Sequence, residues 1–337
     1  MIKSDKWFGP IKTFTLTNEK GIRVVLSNYG ARLLDIEVPV GDERRRTVVS
    51  LPNFEDNIKD SYFGSIVGRV AGRISGGSAI IDGTRYFFDK NEGENTSHSG
   101  RSNFSNRVWN VRKLSENEIV FSLFSSDRDG GFPGNLVTYT QYTLQDDSTL
   151  TVTIKAKTDA TTLFNPTNHV YFNLNGNGQQ SVGNHHLKIT SEKVILLNED
   201  NTPQKTVAVK GTLFDLQKRK KLSSVLNSSD PQIKINHGLN HPFILKKSEG
   251  PQVILTSGDE KLQLEMTTTQ SSIVVYTTGS YQEGYQTNMG KLGFAGGIAL
   301  ETQKPPGFEK ERGENIFLMP DKEFKSETCF TFKTLER

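Results

Sequence analysis

Apolar and polar residues alternate along much of this 337-residue chain. In residues 150–157 every second residue is apolar, which places those side chains on one face of an extended strand. Other segments of strand length show the same alternation or are rich in β-branched residues: 22–26, 261–266 and 273–276. The pattern predicts many short strands in antiparallel sheets that bury one face and leave the other in water.

Turn signals separate the predicted strands. Asp82-Gly83 falls between residues 78–81 and 84–88, and it predicts a hairpin with a type I′ turn. Helical signals are few, and residues 53–59 are the main candidate for a short helix. Closely spaced strands predict an all-β sandwich or barrel. Length alone would favour two domains, but sandwiches can reach this size as single units, so we expect one domain over residues 1–337.

Composition disfavours nucleic-acid-binding, secreted and membrane proteins. The chain has 41 Lys and Arg residues against 38 Asp and Glu, so it offers no strongly basic surface for nucleic acid. The first residues lack the apolar run of a secretion signal. No segment approaches the ~18 apolar residues that a membrane helix requires. These features predict a soluble, cytoplasmic protein that binds neither nucleic acid nor membranes.

Four motifs that lie far apart in the sequence carry the candidate chemistry. They are Gly-Arg-Val-Ala-Gly-Arg-Ile at 68–74, a polar loop at 91–100, Thr-Asn-His-Val-Tyr-Phe-Asn-Leu at 167–174, and Gly-Ile-Ala-Leu-Glu-Thr-Gln at 297–303. Together they resemble the aldose 1-epimerases, or galactose mutarotases, in the same order and over nearly the whole chain. The resemblance implies a single large antiparallel β-sandwich of the galactose mutarotase type. It also implies an isomerase that interconverts the α and β anomers of free hexoses such as galactose and glucose.

Exchange of anomers needs a general base for the hydroxyl on C1 and a general acid for the ring oxygen. Glu301 lies in a small, apolar strand segment, where loss of hydration would raise the pKa of a carboxyl group. Imidazole can donate a proton near neutral pH. Read alone, a strand glutamate more often pairs with an arginine, and a lone histidine in an apolar run is more often a core residue. The resemblance implies that Glu301 is the base and His169 the acid.

The resemblance also implies a set of residues that bind the sugar: Arg73, His98, Phe132 and Asn240. Arg73 would present a rigid fork of donors to neighbouring hydroxyl oxygens, although an ion pair under the sheet is the alternative. His98 would hydrogen-bond the sugar from its loop. Phe132 belongs to a Gly-Phe-Pro-Gly turn that is expected to shape the site and touch the sugar. Arg69 is expected to be structural.

Asn240 departs from the family motif, which has Asp before the histidine. In the family that Asp accepts hydrogen bonds from sugar hydroxyls. Asn240 keeps one acceptor oxygen and adds two donors. A charged acceptor forms the stronger hydrogen bond, so an Asn240→Asp variant is expected to raise kcat/KM for a hexose.

Three other functions remain open at this level. A sugar-binding or regulatory protein without turnover would keep the fold, and a hexose-6-phosphate 1-epimerase would need a cationic pocket. A glycoside hydrolase would need a second carboxylate beside Glu301. We expect no cofactor, because the sequence has no zinc-type ligand spacing and no glycine-rich phosphate loop. The expected partner is a small sugar, and the expected state is a monomer or homodimer.

Overall fold

Strands dominate the computed structural model, which describes residues 3–280, 285–307 and 315–335. Every pairing between named strands is antiparallel. The amino-terminal sheet has five strands in sequential order: β1 (Lys3–Phe8), β2 (Ile11–Thr17), β3 (Arg23–Ser27), β4 (Arg32–Val40) and β5 (Glu43–Arg46). The observed architecture confirms the predicted all-β class.

Two larger sheets form the rest of the framework. The first has nine strands in the order β12 (Asn110–Leu114), β13 (Glu118–Ser125), β14 (Leu136–Leu144), β15 (Thr149–Thr158), β31 (Phe324–Thr334), β25 (Leu262–Thr268), β24 (Val253–Thr256), β19 (His186–Ile189) and β22 (Lys220–Lys221). The second has seven strands in the order β21 (Pro203–Ala208), β20 (Ser191–Leu197), β23 (Asn240–Leu245), β26 (Ser272–Thr277), β29 (Ile298–Gln303), β18 (Tyr171–Phe172) and β6 (Val48–Val49).

Short strand pairs and helices complete the described part of the chain. The pairs are β7 (Ile66–Val67) with β17 (Thr167–Asn168), β8 (Arg73–Ile74) with β11 (Thr96–Ser97), β9 (Ser78–Ile81) with β10 (Thr84–Phe87), β16 (Thr162–Leu163) with β30 (Phe317–Leu318), and β27 (Gln286–Thr287) with β28 (Gly290–Lys291). The α-helices are α1 (Phe54–Lys59), α2 (Ser223–Leu226) and α3 (Pro231–Ile235). None of the helices in these ranges is long and apolar enough to cross a membrane.

The hydrophobic core joins the three large sheets. Phe14 of β2 meets Phe121 of β13 edge to face, with ring centroids 5.9 Å apart. Phe172 of β18 and Phe330 of β31 lie 5.5 Å apart, which connects the seven-stranded sheet to the nine-stranded one. One cluster of buried side chains contains all four rings. The structure is therefore a sandwich rather than a barrel, while the single-domain division stays a prediction.

Local signals in the sequence correspond to local structure. Asp82 and Gly83 connect β9 to β10 with φ angles of 48° and 78°, as the predicted type I′ hairpin requires. The predicted helix at 53–59 is α1, and the side chain of Asn53 caps it by accepting from the Asp56 N–H at 2.9 Å. Burial alternates in β25, as the sequence predicts, whereas β15 is buried on both faces over most of its length, so most of its polar side chains do not face water.

Arg69 ties the turn at residues 131–134 to the sheets. Its side chain is buried, with 1% exposed, and its guanidinium donates at 2.8–3.2 Å to four main-chain carbonyl oxygens: those of Ser125, Ser126, Pro133 and Gly134. Burial lowers the pKa of Arg69 to about 10, and nearby Asp129 opposes that shift. The guanidinium therefore stays charged at neutral pH and satisfies acceptors that would otherwise lie unpaired.

Arg69→Met is expected to destabilise the protein by about 3 kcal/mol or more, because each buried carbonyl left without a donor costs about 1–3 kcal/mol. Urea unfolding measures the loss. Arg101→Met is the matched control, since Arg101 is exposed, and its effect is expected to stay within about 0.5 kcal/mol. A loss below about 1 kcal/mol for Arg69→Met would contradict the structural role.

Candidate active site

Residues 64–74 contain two short strands, β7 and β8, that pair with two different segments of the candidate site. At one end β7 pairs with β17, placing Val67 opposite Thr167. At the other end β8 pairs with β11, placing Arg73 opposite Ser97. The two pairings bring the loop that contains His98 next to the segment that contains His169.

The segment that contains His169 lies beside β29. The Thr167 hydroxyl donates to the main-chain oxygen of Thr302 at 3.1 Å, and Tyr171 pairs with Ala299. The main chain of His169 is fixed as well, because its N–H donates to the oxygen of Ser65 at 2.8 Å. These contacts set the imidazole next to the Glu301 carboxylate.

A cavity of about 510 Å³ opens at this place. Its volume is in the range of small-molecule sites. Five predicted site residues line it: Arg73, His98, His169, Asn240 and Glu301. No group of three or more His, Cys, Asp or Glu side chains in the described ranges is arranged to hold a metal ion.

His169 and Glu301 form a buried pair in the cavity wall. His169 Nε2 lies 3.4 Å from Glu301 Oε1, and each residue is 4% exposed. Burial raises the pKa of Glu301, while the charges of His169 and Arg73 oppose that rise. A carboxylate with a raised pKa is a stronger base than one in water, and the imidazole within reach can carry a proton.

Arg73 is oriented by a bidentate ion pair. Its Nε donates to Glu92 Oε2 and its Nη2 to Glu92 Oε1, both at 2.9 Å. Burial raises the pKa of Glu92, but the hydrogen-bonded guanidinium outweighs it, so that pKa lies below its usual value. Arg73 can therefore form this ion pair and still line the cavity.

His98 is positioned as a neutral hydrogen-bond donor. Its Nδ1 accepts from the Gly72 N–H at 3.3 Å. Burial lowers the pKa of His98 well below its usual value, and the charges of Arg73 and His169 lower it further. A neutral ring that accepts through Nδ1 carries its proton on Nε2, which leaves an N–H donor for a ligand.

Phe132 is the exception among the predicted site residues. It is fully buried at 0% exposed, and its ring stacks on Phe88 at a centroid distance of 4.2 Å. The Arg69 guanidinium lies 5.9 Å from the Phe132 ring, because the turn faces the buried arginine rather than the cavity. Phe132 is not among the residues that line the cavity, so its expected contact with the sugar stays a prediction, and the turn contributes by supporting Arg69.

Four cavity residues had no signal in the sequence: Tyr62, Asn201, Asn236 and Tyr276. Asn91, Glu92 and Gln303 lie in the candidate motifs but had no role assigned to them. The Tyr62 ring lies 4.9 Å from that of His98 and 6.0 Å from that of His169. Tyr276 reaches the cavity because it pairs with Asn240 across β23 and β26. Only the register between those strands could have identified it.

The chain is similar to known proteins over nearly its whole length. A family model described as Aldose 1-epimerase matches residues 12–331. The aldose 1-epimerase of Escherichia coli K12 is 33% identical over 96% of this chain and 95% of its own length. The galactose mutarotase of Sus scrofa is 34% identical over 96% and 94%, respectively. The crystal structure of galactose 1-epimerase from Lactobacillus acidophilus NCFM is 30% identical, covers 100% of both chains and superposes with a TM-score of 0.88.

Glu301 is expected to titrate above its ordinary pKa of 4.5, because burial disfavours the carboxylate. An infrared pH titration that subtracts the spectrum of Glu301→Gln isolates its carboxyl band. In His169→Asn the midpoint is expected to rise further, since the charge that opposes the shift is gone. A wild-type midpoint at or below 4.5 would contradict the buried environment.

Proposed function

Because the chain belongs to the aldose 1-epimerase family, and is thus an isomerase that interconverts sugar anomers, we propose that it acts on free hexoses such as galactose and glucose. We further propose that Glu301 and His169 carry out ring opening and closure. The observation that carries the proposal is the buried pair at 3.4 Å in the cavity wall. Galactose is the substrate that the names of relatives suggest.

The chemistry of the sugar calls for a base and an acid that lie close together. The hydroxyl oxygen that loses a proton and the ring oxygen that gains one are both bonded to C1. One substrate carbon can therefore present both oxygens to a single pair of neighbouring side chains. The separation of His169 and Glu301 supports this use, since proton transfer requires groups within hydrogen-bond reach of the reacting atoms.

Ring opening then proceeds through two proton transfers. The Glu301 carboxylate takes the proton of the C1 hydroxyl, while protonated His169 gives its proton to the ring oxygen. The bond between C1 and the ring oxygen breaks, and the C1 hydroxyl oxygen becomes the aldehyde oxygen. Rotation about the C1–C2 bond presents the other face of the aldehyde, and reversal of both transfers closes the ring to the other anomer.

The other cavity residues bind and orient the remaining hydroxyls. Arg73, held by Glu92, and His98 offer N–H donors, and Asn240 offers an amide oxygen. Fixing the sugar against the acid–base pair contributes through orientation, because a misplaced C1 would not reach both groups.

The alternatives fit the cavity less well. Of the described residues that line it, Glu92 is the one carboxylate besides Glu301, and Arg73 already binds it, which disfavours a glycoside hydrolase. Arg73 is also the one guanidinium or ammonium group among those lining residues, which disfavours a phosphorylated hexose. A binding protein without turnover would have no use for a buried acid–base pair. The cytoplasmic location and the monomeric or homodimeric state stay predictions.

Glu301→Gln is expected to lower kcat for mutarotation by at least about 100-fold, the low end for loss of a general base. The amide keeps the shape of the side chain and removes only its basicity, so galactose should still bind. Polarimetry on freshly dissolved α-galactose measures the rate.

Glu249→Gln is the matched control for that substitution. Glu249 is exposed, so its variant is expected to retain the wild-type rate. If Glu301→Gln turned over galactose at a rate near that of this control, the base would have to be another group.

A further inference from the structure

Three asparagine side chains from three segments meet at one wall of the cavity. Asn201 lies in the turn between β20 and β21, Asn236 follows α3, and Asn240 begins β23. Asn236 Nδ2 donates to Asn201 Oδ1 at 2.7 Å. Asn240 Nδ2 donates to both neighbours, reaching Asn201 Oδ1 at 3.2 Å and Asn236 Oδ1 at 3.3 Å.

This arrangement uses the whole donor capacity of the Asn240 amide. An amide nitrogen carries two hydrogens, and each has an acceptor oxygen in the network. Within the described ranges no protein donor reaches Asn240 Oδ1, although the side chain is buried and lines the cavity. The oxygen is therefore the atom of Asn240 that remains for a ligand.

The main chain of Asn240 is held as firmly as its side chain. Its N–H donates to Nδ1 of His241 at 3.2 Å, and Nε2 of the same ring lies 3.1 Å from Gln232 Oε1. Burial lowers the pKa of His241 to about 3, so the ring is neutral and its Nε2–H donates to the glutamine. Asn240 thus approaches the cavity from a fixed backbone position.

We propose that Asn201 and Asn236 are positioning residues that turn the oxygen of the Asn240 amide toward the sugar. The site then recognises the proton of a sugar hydroxyl with a neutral acceptor instead of a carboxylate. This inference rests on the proposed function, because it takes the cavity to be the sugar site. It adds Asn201 and Asn236 as residues that determine how the site binds a sugar hydroxyl group.

The network changes what an Asn240→Asp substitution would do. A carboxylate at position 240 would face the two oxygens that now accept from the amide. Asn201 and Asn236 would both have to reverse their amides to offer donors instead. A carboxylate at position 240 can therefore serve as a stronger acceptor for the sugar only if the amides of Asn201 and Asn236 can both turn.

Two substitutions at Asn201 distinguish its role in orienting the Asn240 amide from a role in packing alone. Asn201 has a φ angle of 63°, which glycine tolerates freely and aspartate more readily than most residues. Asn201→Gly removes the acceptor without backbone strain and is expected to raise KM for galactose by about 3–10-fold, the loss expected for one neutral hydrogen bond. Asn201→Asp retains the acceptor, so its KM should lie closer to wild type. Because the acid–base pair is untouched, kcat should change by less than about 2-fold.

A double-mutant cycle provides the decisive test. A carboxylate at position 201 has no N–H to donate in any orientation. Asn201→Asp combined with Asn240→Asp therefore places two carboxylates against each other. The KM of the double variant is expected to exceed the product of the single effects by at least about 5-fold. Multiplicative effects, or a KM for Asn201→Gly within about 2-fold of wild type, would overturn the proposal.

Calorimetric dissociation constants for galactose, measured on the same variants, distinguish this inference from the proposed function. A wild type that binds galactose without turnover would contradict the function, and the same cycle in Kd would still decide the role of the asparagines. A wild type that binds no hexose would overturn both.

Discussion

Burial of the Glu301 carboxylate is the constraint around which the cavity is organised. A carboxylate removed from water is costly unless positive charge or hydrogen bonds compensate it. His169 stands 3.4 Å away, and the charge of Arg73 acts on the same group. Compensation is incomplete, so the pKa of Glu301 remains raised. The same burial that makes the carboxylate costly to the fold makes it a suitable base for a sugar hydroxyl.

The scaffold that meets this constraint relies on two arginines with different partners. Arg69 is enclosed and satisfies main-chain oxygens beneath the site, whereas Arg73 shares its charge with Glu92 and faces the cavity. Both belong to the segment that pairs with the His98 loop at one end and with β17 at the other. One stretch of backbone thus fixes both arginines, and the charge of Arg73 also acts on Glu301.

The sequence predicted local features more readily than distant ones. Alternation located β15, and the Asp82-Gly83 turn located its hairpin, because both signals are contained in a few neighbouring residues. The proximity of His169 and Glu301 came only from family resemblance, since it depends on pairings between remote strands. Asn201 and Asn236 left no local signal for the same reason. The burial of Phe132 against Phe88 was not foreseen, because a motif gives residue types but does not give the direction in which a turn faces.

We propose that this chain exchanges anomers by opening the sugar ring with a neighbouring acid and base. Galactose labelled with oxygen-18 at C1 distinguishes ring opening from cleavage at C1, because ring opening never breaks the bond between C1 and its hydroxyl oxygen. Carbon-13 NMR follows both the anomer ratio and the label in one experiment. The protein is expected to accelerate equilibration of the α and β forms while the label stays on C1. Equilibration with loss of the label to water, or no acceleration over buffer, would contradict it.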